Sequence, residues 1–292
     1  RVLAPRRGAP LPGGIPRILH QQWGDRPLPP LLAAYRESWR RCLGEGWELR
    51  LWTDAENREL VRKHAPELLA AYDGYDRHIK RIDAIRYVYL SVFGGVYADL
   101  DLECLGSPVE LLAGQAAVLA YAVPWCYLEA AFMAGRPGHP LFRRALELLP
   151  GAAHLDVRLA TGSYLLTRAF ENYTGVTDYH VHEQRTFAAA APGAEPVHVL
   201  GSERIRWDWC PPLLPGFDDY PHAFAWNHYA GTWITPEERK LRRPPPEVPA
   251  ELLPRNHKRG CTDLPWTGVS GCDRRGRPVS KCKRFGGWTC AP

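Results

Sequence analysis

No run of apolar residues in this chain is long enough to cross a bilayer as a helix. The nearest, Ala116 to Gly135, is interrupted by Pro124 and Glu129 and reads as two buried strands or a strand and a turn. There is no internal repeat. A basic groove is missing too: the net charge is +5, but from Arg255 onward nine Lys or Arg stand against two Asp, so residues 255–292 carry +7 and the rest of the chain −2. A body of that sign has no electrostatic footprint for nucleic acid, and a tail rich in Pro, Gly and Cys lacks the helical spacing of a recognition element. The eight cysteines show neither paired C-x₂-C spacing nor a Cys-His context, which sets aside zinc ribbons and thiol nucleophiles. What remains suffices for a folded protein. With 292 residues and 45% hydrophobic content the chain can bury one large core, or one core plus a small appendage.

The informative stretch is Lys80 to Glu103, KRIDAIRYVYLSVFGGVYADLDLE. Ile79, Ile82, Ile85, Tyr89, Leu90 and Phe93 recur near helical period, and Gly94-Gly95 ends the helix where a left-handed cap is needed. Val96 to Ala98 then reads as a short strand, placing Asp99 and Asp101 at its carboxyl end, where open α/β sheets bind ligands. Continued alternation would set both carboxylates on one face and Leu100 and Leu102 on the other. Two hard oxygen donors suit Mg²⁺ or Mn²⁺, which in turn bridges phosphate oxygens. Asp83 and Arg86, three apart on the helix, share a face; they either join the same crevice or form a helix-surface ion pair.

Four segments in order, IPRILHQQW (15–23), RIDAIRYVYLSVFGGVYADLDLE, RPGHPLF (136–142) followed by TGSYLLT (161–167), and HYAGTW (228–233), resemble the family 32 glycosyltransferases, the group with a D-x-D sugar-binding region. That resemblance spans about residues 15 to 240 and implies a single Rossmann-like α/β domain of the GT-A type. Two departures stand out. The family often has Asn before P-G-H-P, where this chain has Leu128-Glu129-Ala130, and Pro after Thr-Gly, where it has Ser163; both bear on acceptor identity.

By the resemblance, Asp83, Arg86, Asp99 and Asp101 form the catalytic set. Asp101 coordinates Mn²⁺ or Mg²⁺ with Asp99 and His228, and the ion offsets the charge of a departing nucleoside diphosphate. His20, Gln21 and Trp23 after the first strand, with Asp83, Arg86, Tyr87, Asp99 and Trp233, contact the nucleotide-sugar donor. His228 and Trp23 also have readings as core residues. The implied activity is retaining transfer of a hexose to a glycan, glycolipid or glycoprotein. GDP-mannose is favoured as donor over UDP-sugars because mannosyltransferases populate the family best. A retaining family needs no carboxylate dyad, and none is present. Two other readings are a non-catalytic sugar-binding scaffold and a toxin-like transferase acting on protein side chains.

Strands are expected at 17–22, 49–52, 118–122, 132–134, 197–200 and 223–226. Helices are expected at 30–42, 55–64 with Asp54 as N-cap, 66–72, 139–149 and 162–172. Their alternation argues a largely parallel sheet. Domain boundaries follow: an N-terminal stem or linker (1–14), the catalytic domain (15–240), a Pro-rich linker (241–254) and a Cys-rich basic module (255–292). Within that module Cys261, Cys272, Cys282 and Cys290, separated by ten, nine and seven residues, read as two disulfides. Cys42, Cys104, Cys126 and Cys210 are either paired or buried thiols. Disulfides and the sequon Asn172-Tyr173-Thr174 point to the secretory pathway. The lumenal part of a Golgi type II protein is expected, attached to the membrane only through an N-terminal anchor upstream of Arg1.

Overall fold

The computed structural model describes residues 8–122, 127–177, 179, 184–207 and 222–228. The expected stem, the linker at 241–254, the module at 255–292, Trp233, and Cys126 and Cys210 lie wholly or partly outside that set.

Strands and helices alternate through the first half: β1 (Ile18–Gln22), α1 (Pro30–Leu43), β2 (Glu48–Trp52), α2 (Asp54–His64), α3 (Leu69–Gly74), α4 (His78–Val92) and β3 (Gly95–Ala98). Pro30 opens α1 at a position where the missing N–H costs nothing, and Gly44 closes it. Thr53, rather than Asp54, caps α2. Its hydroxyl accepts from the Glu56 N–H at 3.3 Å while the Glu56 carboxylate takes the Thr53 N–H at 2.9 Å, a reciprocal pair. The second half runs β4 (Leu102–Cys104), α5 (Val109–Leu112), β5 (Ala117–Ala122), β6 (Tyr127–Gly135), α6 (Pro140–Ala152), α7 (Val157–Ala160), α8 (Ser163–Thr174), β7 (Arg185–Phe187), β8 (Val197–Leu200), β9 (Ile205–Trp207) and β10 (Ala225–Asn227). The apolar stretch at 116–135 is thus two strands, and no helix among the described residues is long and apolar enough to cross a membrane.

Seven strands form the central sheet in the order β2-β1-β3-β6-β5-β8-β7, and β4, β10 and β9 form a small second sheet. The α/β architecture is as expected, but the sheet is mixed rather than largely parallel. β2, β1 and β3 run parallel, as do β5 and β8, whereas β6 is antiparallel to both neighbours and β7 to β8. Only residues 123–126 separate β5 from β6, too few for the crossover that parallel pairing requires.

Strand alternation feeds a core on each face. Tyr97, Leu119 and Met133 join Trp52, Leu60, Tyr89, Phe142 and Leu165 under α2, α4, α6 and α8. Val96, Ala98, Val118 and Phe132 join Trp39, Leu102 and Phe224 under α1 and the small sheet. Cys42 of α1 and Cys104 of β4 form a disulfide, and two hydrogen bonds run beside it: Trp39 Nε1 to Leu102 O at 2.6 Å and Cys104 N to Ser38 Oγ at 2.8 Å.

Candidate functional site

The site begins where α4 meets β3. Gly94 (φ 62°) and Gly95 (φ 96°) take the left-handed backbone that the sequence called for. They are also the closest approach of this corner to its neighbours: a Cβ on Gly94 would lie 2.6 Å from the Pro137 ring, and one on Gly95 2.6 Å from the Ile18 carbonyl oxygen. The corner is therefore fixed, and β3 leaves it in one direction.

β3 stops at Ala98, so Asp99 and Asp101 are not set by strand alternation. Instead, Leu102 N donates to Asp99 O at 3.1 Å and closes a tight turn over residues 99–102, the link into β4. Asp99 N donates to Ala131 O of β6 at 2.9 Å, and the Asp99 carboxylate accepts from the Tyr97 hydroxyl at 2.6 Å. Asp101 O accepts the His228 N–H at 3.0 Å, because β10 pairs antiparallel with β4 and delivers His228 beside the turn. The His228 ring stacks between Tyr35 and Trp226, 4.4 Å from each, and its Nε2 meets Glu103 Oε2 at 2.8 Å.

The three expected metal ligands thus share one turn and its neighbouring strand. Among the described residues, however, no three His, Cys, Asp or Glu side chains converge into a metal-holding group. Asp99 is drawn toward Tyr97 and Arg86, and His228 toward Glu103. The donor chemistry still fits a hard divalent cation: carboxylates on one turn, and an imidazole oriented by a carboxylate in the way metal-ligating histidines are.

Asp83 and Arg86 are not a surface pair. Their side chains are 9% and 6% exposed and form an ion pair with each other, and Arg86 reaches Asp99 at 3.6 Å. Arg86 also donates to Ala130 O at 2.7 Å and lies over the Tyr97 ring, 4.8 Å from its centre. Thr161 Oγ1 donates to the second Asp83 oxygen at 3.3 Å. Burial raises the Asp83 carboxyl to about 6 against the pull of Arg86, and Asp99 adds to the rise. Arg86 remains a cation, its deprotonation opposed by Asp83 and Asp99. Tyr87 is buried beside this group, within the influence of Arg86, Asp83 and Glu129. Its hydroxyl donates to Thr161 O at 2.9 Å, which pins the T-G-S segment to α4.

Beside this cluster lies Glu129 of β6, which sequence reasoning treated only as an interruption and a departure. Ser163 Oγ donates to its carboxylate at 2.6 Å. A lone acid inside YLEAAFMAG was the signal that could have found it.

The residues at the carboxyl end of β1 divide. His20 does not face a donor: it is 1% exposed, its Nδ1 accepts from Trp52 Nε1 at 3.1 Å, and Nε2 donates to Gly94 O at 2.8 Å. The ring stacks 5.2 Å from Tyr89, and burial drives its pKa down to about 4, so it is a neutral core histidine. Alternation turns Gln21 to the other face, fully buried, with neither amide atom partnered among the described residues. Trp23 is half-buried; its backbone N–H donates to Trp52 O at 3.0 Å while its indole N–H has no partner among those residues.

Residues 29–118, which contain the α4–β3 corner and the Asp99–Asp101 turn, match the family model described as "Glycosyltransferase sugar-binding region containing DXD motif". The chain is 30% identical over 167 residues to inositol phosphoceramide mannosyltransferase 1 of Schizosaccharomyces pombe, covering 54% of this chain and 52% of that protein. It is 35% identical over 142 residues to mannosyl phosphorylinositol ceramide synthase SUR1 of Saccharomyces cerevisiae, covering 48% of this chain and 36% of that protein. The chain spans about half the length of the first of these relatives, and less of the second. Among solved structures, the PaToxG glycosyltransferase superposes with a TM-score of 0.45 at 13% identity, over 56% of this chain and 69% of that one. The description of the family model and the names of the two yeast relatives have glycosyl transfer in common.

Proposed function

We infer that this chain, a glycosyltransferase of the family 32 type by its sugar-binding region and its curated relatives, transfers a hexose from a nucleotide sugar to a glycolipid. One observation carries the reading. Within the matched region the fold gathers the buried Asp83 and Arg86 and the partly exposed Asp99 into a single group at the carboxyl end of β3, next to the turn that bears Asp101.

The roles follow from charge and burial. Asp83 accepts hydrogen bonds from hydroxyls of the transferred sugar, and Arg86, held as a cation, faces the diphosphate. A cation fixed on several sides needs no reorganisation when negative charge develops on the leaving group, the condition under which electrostatic stabilisation is most effective. Asp101, Asp99 and His228 would hold Mn²⁺ or Mg²⁺, which supplies further charge neutralisation to the departing diphosphate. Glu103 fixes the imidazole's orientation. In the transfer, the bond from the anomeric carbon to the diphosphate breaks, the acceptor hydroxyl oxygen bonds that carbon in its place, and the hydroxyl proton passes to the departing diphosphate oxygen.

GDP-mannose is the preferred donor in this reading, because the named relatives are mannosyltransferases; their names likewise favour an acceptor carrying inositol phosphate on a ceramide. The Cys42–Cys104 bridge supports an oxidising, secretory compartment and counts against a cytosolic toxin. Asn172 of the sequon is exposed on α8, consistent with that passage.

The test is a panel of GDP- and UDP-sugars with Mn²⁺, scored by thermal stabilisation and by release of free nucleotide, since a ligand of the native state raises Tm by mass action. Asp101→Asn is expected to abolish turnover without loss of fold, because an amide is a poor substitute for a charged oxygen on a hard cation. Full activity of that variant, or undiminished activity in EDTA, contradicts the metal assignment. Stabilisation by a nucleotide sugar with no nucleotide release from any donor favours the sugar-binding scaffold instead.

A further inference from the structure

β6 does not run straight past the sugar-holding group. Against β5 its register jumps: Leu119 pairs with Met133, yet Ala120 pairs with Glu129, so residues 130–132 are looped out of that ladder. Phe132 pairs instead with Ala98 at the end of β3. Bulges of this kind re-aim side chains beside binding sites. Here the backbone of Ala130, next to Glu129, is held at both its N–H and its carbonyl. Ala130 O accepts from Arg86 at 2.7 Å, while Ala130 N donates to Glu129 Oε1 at 2.9 Å. Ser163 Oγ, from the start of α8, donates to the same Oε1 at 2.6 Å.

Glu129 Oε1 therefore takes two hydrogen bonds, and Oε2 takes none among the described residues. The charged groups that face the carboxyl are Asp99 from the end of β3 and Arg86 from α4. Burial raises the Glu129 carboxyl to about 7 against the Ser163 hydrogen bond, and Asp99 adds to the rise. The two places where the chain departs from the pattern it resembles, the segment Leu128-Glu129-Ala130 and Ser163, meet through the Ser163–Glu129 hydrogen bond. The sequence set them on the acceptor side, whereas Ala130 of that segment takes the Arg86 contact.

We propose that Glu129, through Oε2, reads the hydroxyl configuration of the transferred hexose and so sets which sugar this enzyme takes from the donor. This rests on the reading above, in which Asp83 and Arg86 hold that sugar. Hexose epimers differ only in the direction of one hydroxyl, so they are told apart best by a polar group whose position is already fixed. A site built to hydrogen-bond one hydroxyl rejects the sugar that leaves it unpaired. Glu129 meets that requirement because its other oxygen is anchored twice.

Glu129→Gln isolates the effect. A glutamine carbonyl keeps both hydrogen bonds made by Oε1 and replaces only Oε2, by an amide donor. Wild type and variant are compared with GDP-mannose, GDP-glucose, UDP-galactose and UDP-glucose in Mn²⁺, following nucleotide release to water, and the affinities for GDP and UDP alone are measured by calorimetry. For the preferred sugar, kcat/KM is expected to fall roughly tenfold to a hundredfold. The ratio between epimeric sugars should collapse toward one, with GDP and UDP affinity unchanged within about twofold. Ser163→Ala should move the ratio the same way by less. An unchanged epimer ratio, even with lower rates, makes Glu129 structural and overturns the proposal alone. So does a loss of GDP or UDP affinity, which would put Glu129 on the diphosphate side. Wild-type protein that neither binds GDP or UDP nor releases them from any sugar overturns the transferase reading, and this proposal with it.

Discussion

His20 shows how a single residue changes meaning between sequence and structure. Its place at the end of a first strand, where nucleotide pockets form, gave it a role on the donor. The fold gives it two hydrogen bonds and a stack of aromatic rings instead. Its depressed pKa makes a prediction about stability. The folded protein resists protonating His20 until pH about 4, whereas the unfolded chain takes the proton near the ordinary value of 6.5. Below 6.5 the unfolded state therefore binds more protons, so the stability His20 contributes is present above that pH and is lost as pH falls toward 4. Each pH unit in that window costs about 1 kcal/mol. The unfolding free energy from urea titrations should fall between pH 7 and pH 5 by that order more in the wild type than in a His20→Gln variant, a comparison that cancels the opposite contributions of the raised Asp83 and Glu129 carboxyls. An equal fall in the two proteins would show that His20 is solvated.

At the scale of the element, the readable parts were those where local chemistry decides. The α4 helix and the Gly94-Gly95 corner followed from apolar spacing and from the backbone conformation glycine alone adopts easily. What was not readable depends on partners distant in the chain. Alternation could not be carried past Ala98, because the turn at 99–102 answers to β6 and β10 as much as to its own residues. The β6 bulge exists only because one strand satisfies two neighbours out of register. His228 meets Glu103 across 125 positions of sequence. The Cys42–Cys104 bridge belongs to this scale as well, since it fastens β4, the strand leaving the Asp99–Asp101 turn, to α1. With 62 positions between its ends, the bridge is expected to stabilise the fold by about 2–4 kcal/mol. Replacing both cysteines by serine should lower Tm by several degrees and reduce donor hydrolysis more than it reduces helix content, because β4 loses its clamp while the central sheet does not. Unaltered donor hydrolysis at full helix content would mean that Trp39 and Ser38 hold β4 without help.

On the scale of the whole molecule, the residues to which the proposed function gives a role lie between 83 and 228, whereas the strongest charge lies beyond 254. We predict that a chain ending near Pro254 keeps donor binding and metal-dependent donor hydrolysis. It should transfer less well to an anionic glycolipid, with the deficit greatest at low salt, where a tail of +7 attracts most strongly. Abolished donor hydrolysis in a truncated protein that still folds would refute the separation. Non-reducing peptide mapping gives a second check: a bridge from Cys261, Cys272, Cys282 or Cys290 to Cys126 or Cys210 would make the tail a staple of the body.

The closed loop from Cys42 to Cys104 has a mechanical consequence. It encircles β2, α2, α3, α4, β3 and the Asp99–Asp101 turn, so tension applied at the two ends of the oxidised chain passes through the sulfur bridge and around this whole segment. Stretched between two handles, the oxidised protein should extend roughly 200 Å less than the reduced one, the contour length of the bypassed residues. Dithiothreitol added during the pull should release that length in one step. The segment proposed to carry most of the donor chemistry is the one that force on the ends cannot draw out.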